Sequence, residues 1–143
     1  GFSSTTDPIA NNWERVDDAS FNKIGTGMSQ SSGIFTFPST GIYKITFAVS
    51  AYKNGDDRTI TKRVYTTLNN SSYTELNESY TNLQDTGNAY GNTSNKVIVD
   101  ITDTSQCKVK FMAQSSDAGG LDVQAGSGLP MKNYATFIRI GDT

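Results

Sequence analysis

The sequence predicts an all-β protein, folded as one domain in the form of a sandwich or barrel of antiparallel strands. About eight strand-like segments follow one another along the 143 residues, separated by turn-forming residues. Residues 43–51 alternate almost perfectly between large apolar side chains and polar or small ones. Only 35% of the residues are hydrophobic and 18% are charged. Much of the remainder is Ser, Thr, Asn and Gly, which disfavour helices.

The start of the chain carries the weakest signals. Residues 1–12 are interpreted either as an extended arm or as a remnant of expression. Residues 11–25 fit either one turn of helix or an extended lead-in that bends at Asp17 and Asp18. No charged segment is followed by an apolar one here, so the sequence predicts no signal peptide in this stretch.

The clearest segment is "GIFTFPSTGIYKITFAVSA", residues 33–51. Phe35 and Phe37 belong to a short strand that Pro38 ends, because proline has no N–H to donate to a neighbouring strand. Gly41 supplies the turn, so the two runs are predicted to form a hairpin. In the second run one face holds a row of side chains expected in the core: Tyr43, Ile45, Phe47, Val49 and Ala51.

The later segments are expected to contribute further rows. An Asn-Gly pair at residues 54–55 indicates a hairpin or loop. The expected apolar rows are Ile60, Val64 and Leu68; Leu76 and Tyr80; Val97, Val99 and Ile101; and Cys107, Val109, Phe111 and Ala113. The row at residues 107–113 predicts that the single cysteine is a buried hydrophobic residue. The last strand is expected in residues 134–141.

The composition excludes several kinds of chemistry. The chain has no histidine and one cysteine, so a zinc site and a Ser-His-Asp triad are not expected. The net charge is −2 and the basic residues are scattered, so no nucleic-acid partner is expected. The absence of an apolar run of about 18 residues argues against a transmembrane helix. We therefore expect a protein that is not an enzyme.

Two groups of loop residues remain as candidate binding positions. Asn54, Asp56 and Asp57 form one group, and Asp117 and Asp122 in a Gly-rich loop form the other. Their oxygen atoms suit Ca²⁺, although Asp and Gly are also ordinary turn residues. Calcium is therefore kept as a candidate cofactor beside the simpler expectation of none.

The chain also contains two nearby glutamates and seven tyrosines. Glu75 and Glu78 should point to opposite faces of their strand, because they are an odd number of residues apart. Several tyrosines exceed what one core needs, and Tyr90 is included among the binding candidates. Outward tyrosines are either cross-strand partners or part of a contact surface.

The segment 35–47 resembles a family signature. Phe35, five residues, then Gly41-x-Tyr43-x-Ile45-x-Phe47 is similar to the motif of the complement C1q globular heads, relatives of the tumour necrosis factor ligands. Ile45 stands where Phe is usual. The resemblance implies a jelly roll of about ten strands that forms a homotrimer. It also implies a set of core or trimer-interface residues: Phe35, Tyr43, Ile45, Phe47, Tyr134, Phe137 and Ile138.

The resemblance also implies a class of function, because members of that family are mainly recognition modules. The histidine-free, Ser/Thr/Asn-rich composition resembles the heads of phage fibres and virion proteins. We therefore expect a non-enzymatic virion structural or attachment protein, a fibre head or capsid decoration. Its expected partners are other virion proteins or a host cell-surface glycan or protein. The alternatives are an extracellular C1q-like head of a cellular protein and, less favoured, a polysaccharide-active enzyme.

Overall fold

The architecture is that of a computed structural model, which describes residues 5–54, 57–84, 87–116, 122–123 and 131–143, with only the backbone of residues 54, 57–58 and 122–123. These residues contain no helix long and apolar enough to cross a membrane. They form twelve strands: β1 (Thr5–Thr6), β2 (Asp17–Asp18), β3 (Phe21–Asn22), β4 (Ser29–Ser31), β5 (Ile34–Thr36), β6 (Gly41–Asn54), β7 (Asp57–Thr67), β8 (Thr74–Leu83), β9 (Asn88–Ile101), β10 (Lys108–Ser115), β11 (Asp122–Val123) and β12 (Tyr134–Gly141).

The long strands form two antiparallel sheets. In the first, called the β10 sheet, the order is β4-β5-β10-β7-β8, and β1 pairs with the end of β10. In the second, called the β6 sheet, β9 pairs with β6 along its whole length. β12 and the short β11 pair with β6 as well. The lead-in is extended rather than helical, and its bend at Asp17 and Asp18 is the small hairpin of β2 and β3.

The segment 33–51 does not form the predicted hairpin. β5 belongs to the β10 sheet and β6 to the β6 sheet, so the turn between them carries the chain from one sheet to the other. Both sides of the turn remain in the core, with the rings of Phe37 and Tyr43 4.8 Å apart. Gly41 has a φ of 140°, and a Cβ there would lie 2.4 Å from Nε of Arg139. Only glycine adopts this conformation without strain.

The predicted rows of residues 43–51 and 107–113 meet between the sheets and are buried. Cys107 is a buried free thiol, as expected. Phe111 lies at the centre of an aromatic cluster, with its ring stacked 4.6 Å from that of Phe47. Trp13 enters this cluster from the lead-in, 4.9 Å from Phe35, and its Nε1 donates to the carbonyl of Ile9 at 2.6 Å. The arm before β2 therefore contributes to the core.

Several connections gather at one end of the sandwich, which we call the loop end. Asn54 pairs with Asn88, Asp57 with Leu83, and Ser115 with Ile60. Because these pairs lie at the ends of their strands, the connections after β6, β8 and β10 all leave from this end. The Asn-Gly connection joins two strands of different sheets, so it is a loop between sheets and not a hairpin turn.

Candidate functional site

The residues expected in the core or interface fall into two groups. Phe35, Tyr43, Ile45 and Phe47 are buried in the core, and Phe137 packs against them from β12. Tyr134 is half-buried and Ile138 is exposed on the outer side of the β6 sheet. Of this set, Ile138 is exposed, and Tyr134 and Phe137 keep part of their surface exposed.

The loop candidates are only partly described. Asp56 and Asp117 lie outside the described residues. For Asn54, Asp57 and Asp122 the structure gives the backbone alone. Within the described part of the chain, no group of three or more Cys, Asp or Glu residues could hold a metal ion. The calcium site therefore stays a prediction, and Tyr90 is the one loop candidate whose surroundings are described.

The β6 sheet carries three exposed isoleucines, which we call the isoleucine face: Ile98 and Ile138 on its outer side, and Ile140 near the end of β12. Their side chains are 65%, 54% and 53% exposed. Ile138 pairs with Lys44, and Lys44 pairs with Ile98 on its other side, so the two isoleucines lie in one row across three strands. Exposed apolar groups arranged in this way mark a surface that gains free energy when covered.

A cavity of about 460 Å³ lies at the loop end, between the end of β8 and the start of β9. We call it the loop-end cavity, and its lining residues are Asn82, Leu83, Gln84, Asn88, Ala89 and Tyr90. The ring of Tyr90 is 5.1 Å from that of Tyr52 across the β6–β9 pair. The Tyr52 hydroxyl in turn donates to Oδ1 of Asn88 at 2.8 Å. These contacts hold one wall of the cavity in place.

The two glutamates considered in the sequence do not point to opposite faces. Val64 pairs with Asn77 but the next residue, Tyr65, pairs with Glu75, so Leu76 is an extra residue in β8. This bulge turns Glu75 to the side of Glu78. Both carboxylates contact Nε of Arg63, Glu75 at 3.3 Å and Glu78 more closely. A carboxylate pair held by one guanidinium differs from two free carboxyls facing a cleft.

This ion-pair cluster should contribute measurably to stability, since its Arg63 and Glu78 side chains are mostly shielded from solvent. We expect the substitutions Arg63→Gln and Glu78→Gln to couple by about 1 kcal/mol in a double-mutant cycle of urea unfolding. Each substitution alone should lower the unfolding free energy. Strictly additive effects of the two substitutions would show that the pair contributes nothing.

The tyrosines of the β10 sheet have local partners. The Tyr65 hydroxyl donates to Oε2 of Glu75 at 3.1 Å, and Tyr80 donates to Glu78. The rings of Tyr65 and Tyr73 each lie 5.0 Å from Nζ of Lys110. These are cross-strand and cation–π partners. On this sheet the simpler interpretation of the outward tyrosines is therefore sufficient.

The interior contains a polar group that the sequence analysis missed. Lys62 lies on β7 between Ile60 and Val64 and is completely buried with them. Its Nζ lies 3.5 Å from the carbonyl oxygen of Val49 and 3.4 Å from that of Thr93. Among the described residues no ion pair includes Lys62. Alternation assigns Ile60 and Val64 to the core. Lys62 is two residues from each of them, so the same alternation assigns it to the core as well.

Lys62 belongs to a layer of polar residues, which we call the polar layer: Lys62, Asn77, Ser79 and Asn95. Asn95 donates through Nδ2 to Asn77 at 2.6 Å and accepts from Ser79 at 2.9 Å. Burial lowers the pKa of Lys62 from its ordinary 10.5 to about 8, because the charged amine loses its hydration. The layer joins β8 to β9 and so ties one edge of the sandwich.

Comparison with known proteins gives a fold but no closer relationship. No protein-family model matches the chain, and no curated protein sequence matches it significantly. A similar solved structure is the crystal structure of murine APRIL at pH 5.0, with a TM-score of 0.61 and 14% sequence identity. The match covers 82% of this chain and 80% of that chain. The chain therefore has the all-β jelly-roll fold of the tumour necrosis factor type, the fold that its residues 35–47 predicted.

Proposed function

We propose that the protein is a non-enzymatic binding head that acts as a homotrimer. The observation that carries this proposal is the isoleucine face of the β6 sheet. Covering one isoleucine side chain fully contributes about 1.5–3 kcal/mol. A closed trimer covers the same row on three chains at once. The likeness in fold to murine APRIL is compatible with such a head.

The mechanism of such a head is multivalent binding. Three identical sites held on a rigid scaffold engage a repetitive target together, so the second and third contacts form at high effective concentration. Weak single sites are then sufficient. The sandwich supplies the rigidity, and the loop end supplies surface for the contacts.

Solution mass tests the assembly. We expect light scattering at micromolar concentration to give three times the 15.5 kDa of one chain. The variant Ile98→Glu with Ile138→Glu places two carboxylates in the same row and should give the mass of one chain. Ile24→Glu is the matched control, because Ile24 is also exposed but lies off the β6 sheet. A monomeric mass for the unchanged protein would overturn the trimer.

We assign the head to virions, as a fibre head or capsid decoration, on the resemblance of its composition to that of phage heads. The residues encoded before Gly1 test this assignment. Gly-X-Y repeats there would replace it with an extracellular C1q-like head carried on a collagen stalk. A phage-type shaft or neighbouring virion genes would support it.

The absence of enzymatic activity is also part of the proposal. It is supported by the chain's lack of histidine and by the contact of both Glu75 and Glu78 with Arg63. Incubating the protein with capsular polysaccharide should release no new reducing ends. Release of such ends would favour the polysaccharide-active alternative.

A further inference from the structure

We propose that the loop-end cavity binds a neutral sugar residue of a glycan. The ring of Tyr90 would stack on the sugar, and the amides of Gln84 and Asn88 would bond its hydroxyl groups. This inference rests on the proposed binding function and names the class of ligand. It concerns a site at the other end of β9 from Ile98, the part of that strand in the isoleucine face.

The size and floor of the cavity suit a small ligand. Its volume of about 460 Å³ lies within the range of about 300–1,000 Å³ usual for small-molecule sites. Leu83 and Ala89 are buried and form an apolar floor. Tyr90 is 61% exposed, so one face of its ring is open to a ligand. An apolar floor and an open aromatic ring suit the C–H faces of a sugar ring.

The polar groups of the cavity determine the class of ligand. Three of its six lining residues have primary amides, which both donate and accept hydrogen bonds. A hydroxyl group also donates and accepts, so amides match a polyhydroxylated ligand at any orientation of its O–H bonds. None of the six lining residues that the structure describes carries a charge. Among these described residues there is thus no charged partner for a carboxylate, a phosphate or an amine.

The wall of the cavity is organised before a ligand arrives. Tyr52 packs beside Tyr90 and bonds Asn88, so the aromatic ring and one amide are linked through a third side chain. Tyr52 on β6 pairs directly with Tyr90 on β9, and Asn88 lies two residues before Tyr90 on the same strand. A wall already held in position loses less conformational entropy on binding.

The cavity is separate from the isoleucine face. Tyr90 and Ile98 are eight residues apart on β9, which is about 26 Å at 3.3 Å per residue. Substitutions at one position should therefore leave the other unaffected. In a trimer, the three cavities would be held at fixed separations by the strands that also carry the assembly surface.

Saturation-transfer NMR on the full chain tests the proposal. The probes are the methyl glycosides of glucose, galactose and mannose, together with N-acetylglucosamine, each at millimolar concentration. We expect saturation transfer to the ring protons of at least one probe, with binding insensitive to added sodium chloride. Tyr90→Ala should weaken that binding by at least about tenfold. Asn88→Ala, which removes one amide, should also weaken it.

Tyr65→Ala is the control, because Tyr65 is partly exposed on β7, eight residues from Asp57, which pairs with Leu83 of the cavity. It should leave sugar binding unchanged. The proposal is overturned if none of the four probes receives saturation. It is also overturned if Tyr65→Ala weakens binding as much as Tyr90→Ala, or if sialyllactose binds more tightly than lactose.

The same samples separate this proposal from the trimer. If the protein has the mass of one chain and still binds sugar through Tyr90, the assembly proposal fails and the cavity stands. If it is trimeric and binds none of the probes, the assembly proposal stands and the cavity assignment fails.

Discussion

The free energy of unfolding should rise by about 2 kcal/mol between pH 7 and pH 9.5, because of one residue, Lys62. Its pKa is lowered to about 8 in the folded protein, from the ordinary value of 10.5 that it regains on unfolding. In this interval the unfolded chain binds more protons at this amine than the folded chain does. Stability rises with pH wherever that is so. The free-energy cost of burying the charged Lys62 amine is fully present below about pH 8, and it disappears as the pH approaches 10.5.

The measurement is a series of urea unfolding curves at fixed protein concentration, since a trimer's stability depends on concentration. The series ends at pH 9.5 because tyrosines ionise above it. Burial raises the pKa of Tyr65 and of Tyr73, and for Tyr65 the bond to Glu75 adds to this. Such groups remove stability at higher pH and would obscure the effect of Lys62.

The control is Lys62→Met, which keeps the length of the side chain and removes its charge. Its unfolding free energy should be flat over the same interval and higher than that of the unchanged protein at pH 7. Replacing a buried charge by an apolar side chain is often stabilising. An equal pH dependence in both proteins would show that Lys62 is not the source.

The largest loss of stability is expected from Phe111→Ala, at about 4 kcal/mol. Phe111 is fully buried, and four other rings surround it. The centroids of Phe47, Phe35, Trp13 and Phe137 lie 4.6, 5.4, 5.7 and 6.0 Å from its own. Removing the ring leaves a cavity. The neighbouring rings belong to three different strands and to the arm, so they cannot move together to fill it.

Urea unfolding also measures this loss, because the midpoint and the slope of the unfolding curve give the unfolding free energy of each variant. Phe21→Ala is the matched control, because Phe21 is exposed on the small β2–β3 hairpin. Its unfolding free energy should change by less than about 0.5 kcal/mol. Similar losses in the two variants would contradict the central position of Phe111.

Alternation along the strands predicted part of the core, whereas Leu68, Leu76 and Tyr80, which it also placed in apolar rows, are exposed. Residues 43–51 and 107–113 have one apolar face each, and both faces are buried because a strand keeps a strict period of two while it stays regular. The same period of two explains why Lys62 is buried. An amine at an inward position stays inward when its apolar neighbours are buried, and only its chemistry suggested otherwise.

The features that the sequence predicted wrongly depend on contacts between distant parts of the chain. The extra residue at Leu76 reverses the side of Glu75, and no glycine in β8 marks this bulge. The hairpin predicted around Gly41 requires β5 and β6 to pair, but β5 pairs with β10 and β6 with β9. Local turn chemistry does not distinguish a turn within a sheet from one between sheets. The isoleucine face likewise follows from the alignment of β9 and β12 on either side of β6.

The polar layer divides the interior into two apolar regions of unequal size. The larger contains the aromatic cluster, and the smaller, at the loop end, consists of Ala51, Ile60, Leu83 and Ala89. Two of these four residues also form the floor of the loop-end cavity. The hydrogen-bonded side chains of the polar layer thus separate the residues that shape the cavity from the aromatic packing that stabilises the fold. The surface at the loop end can therefore change in shape without disturbing the aromatic interior.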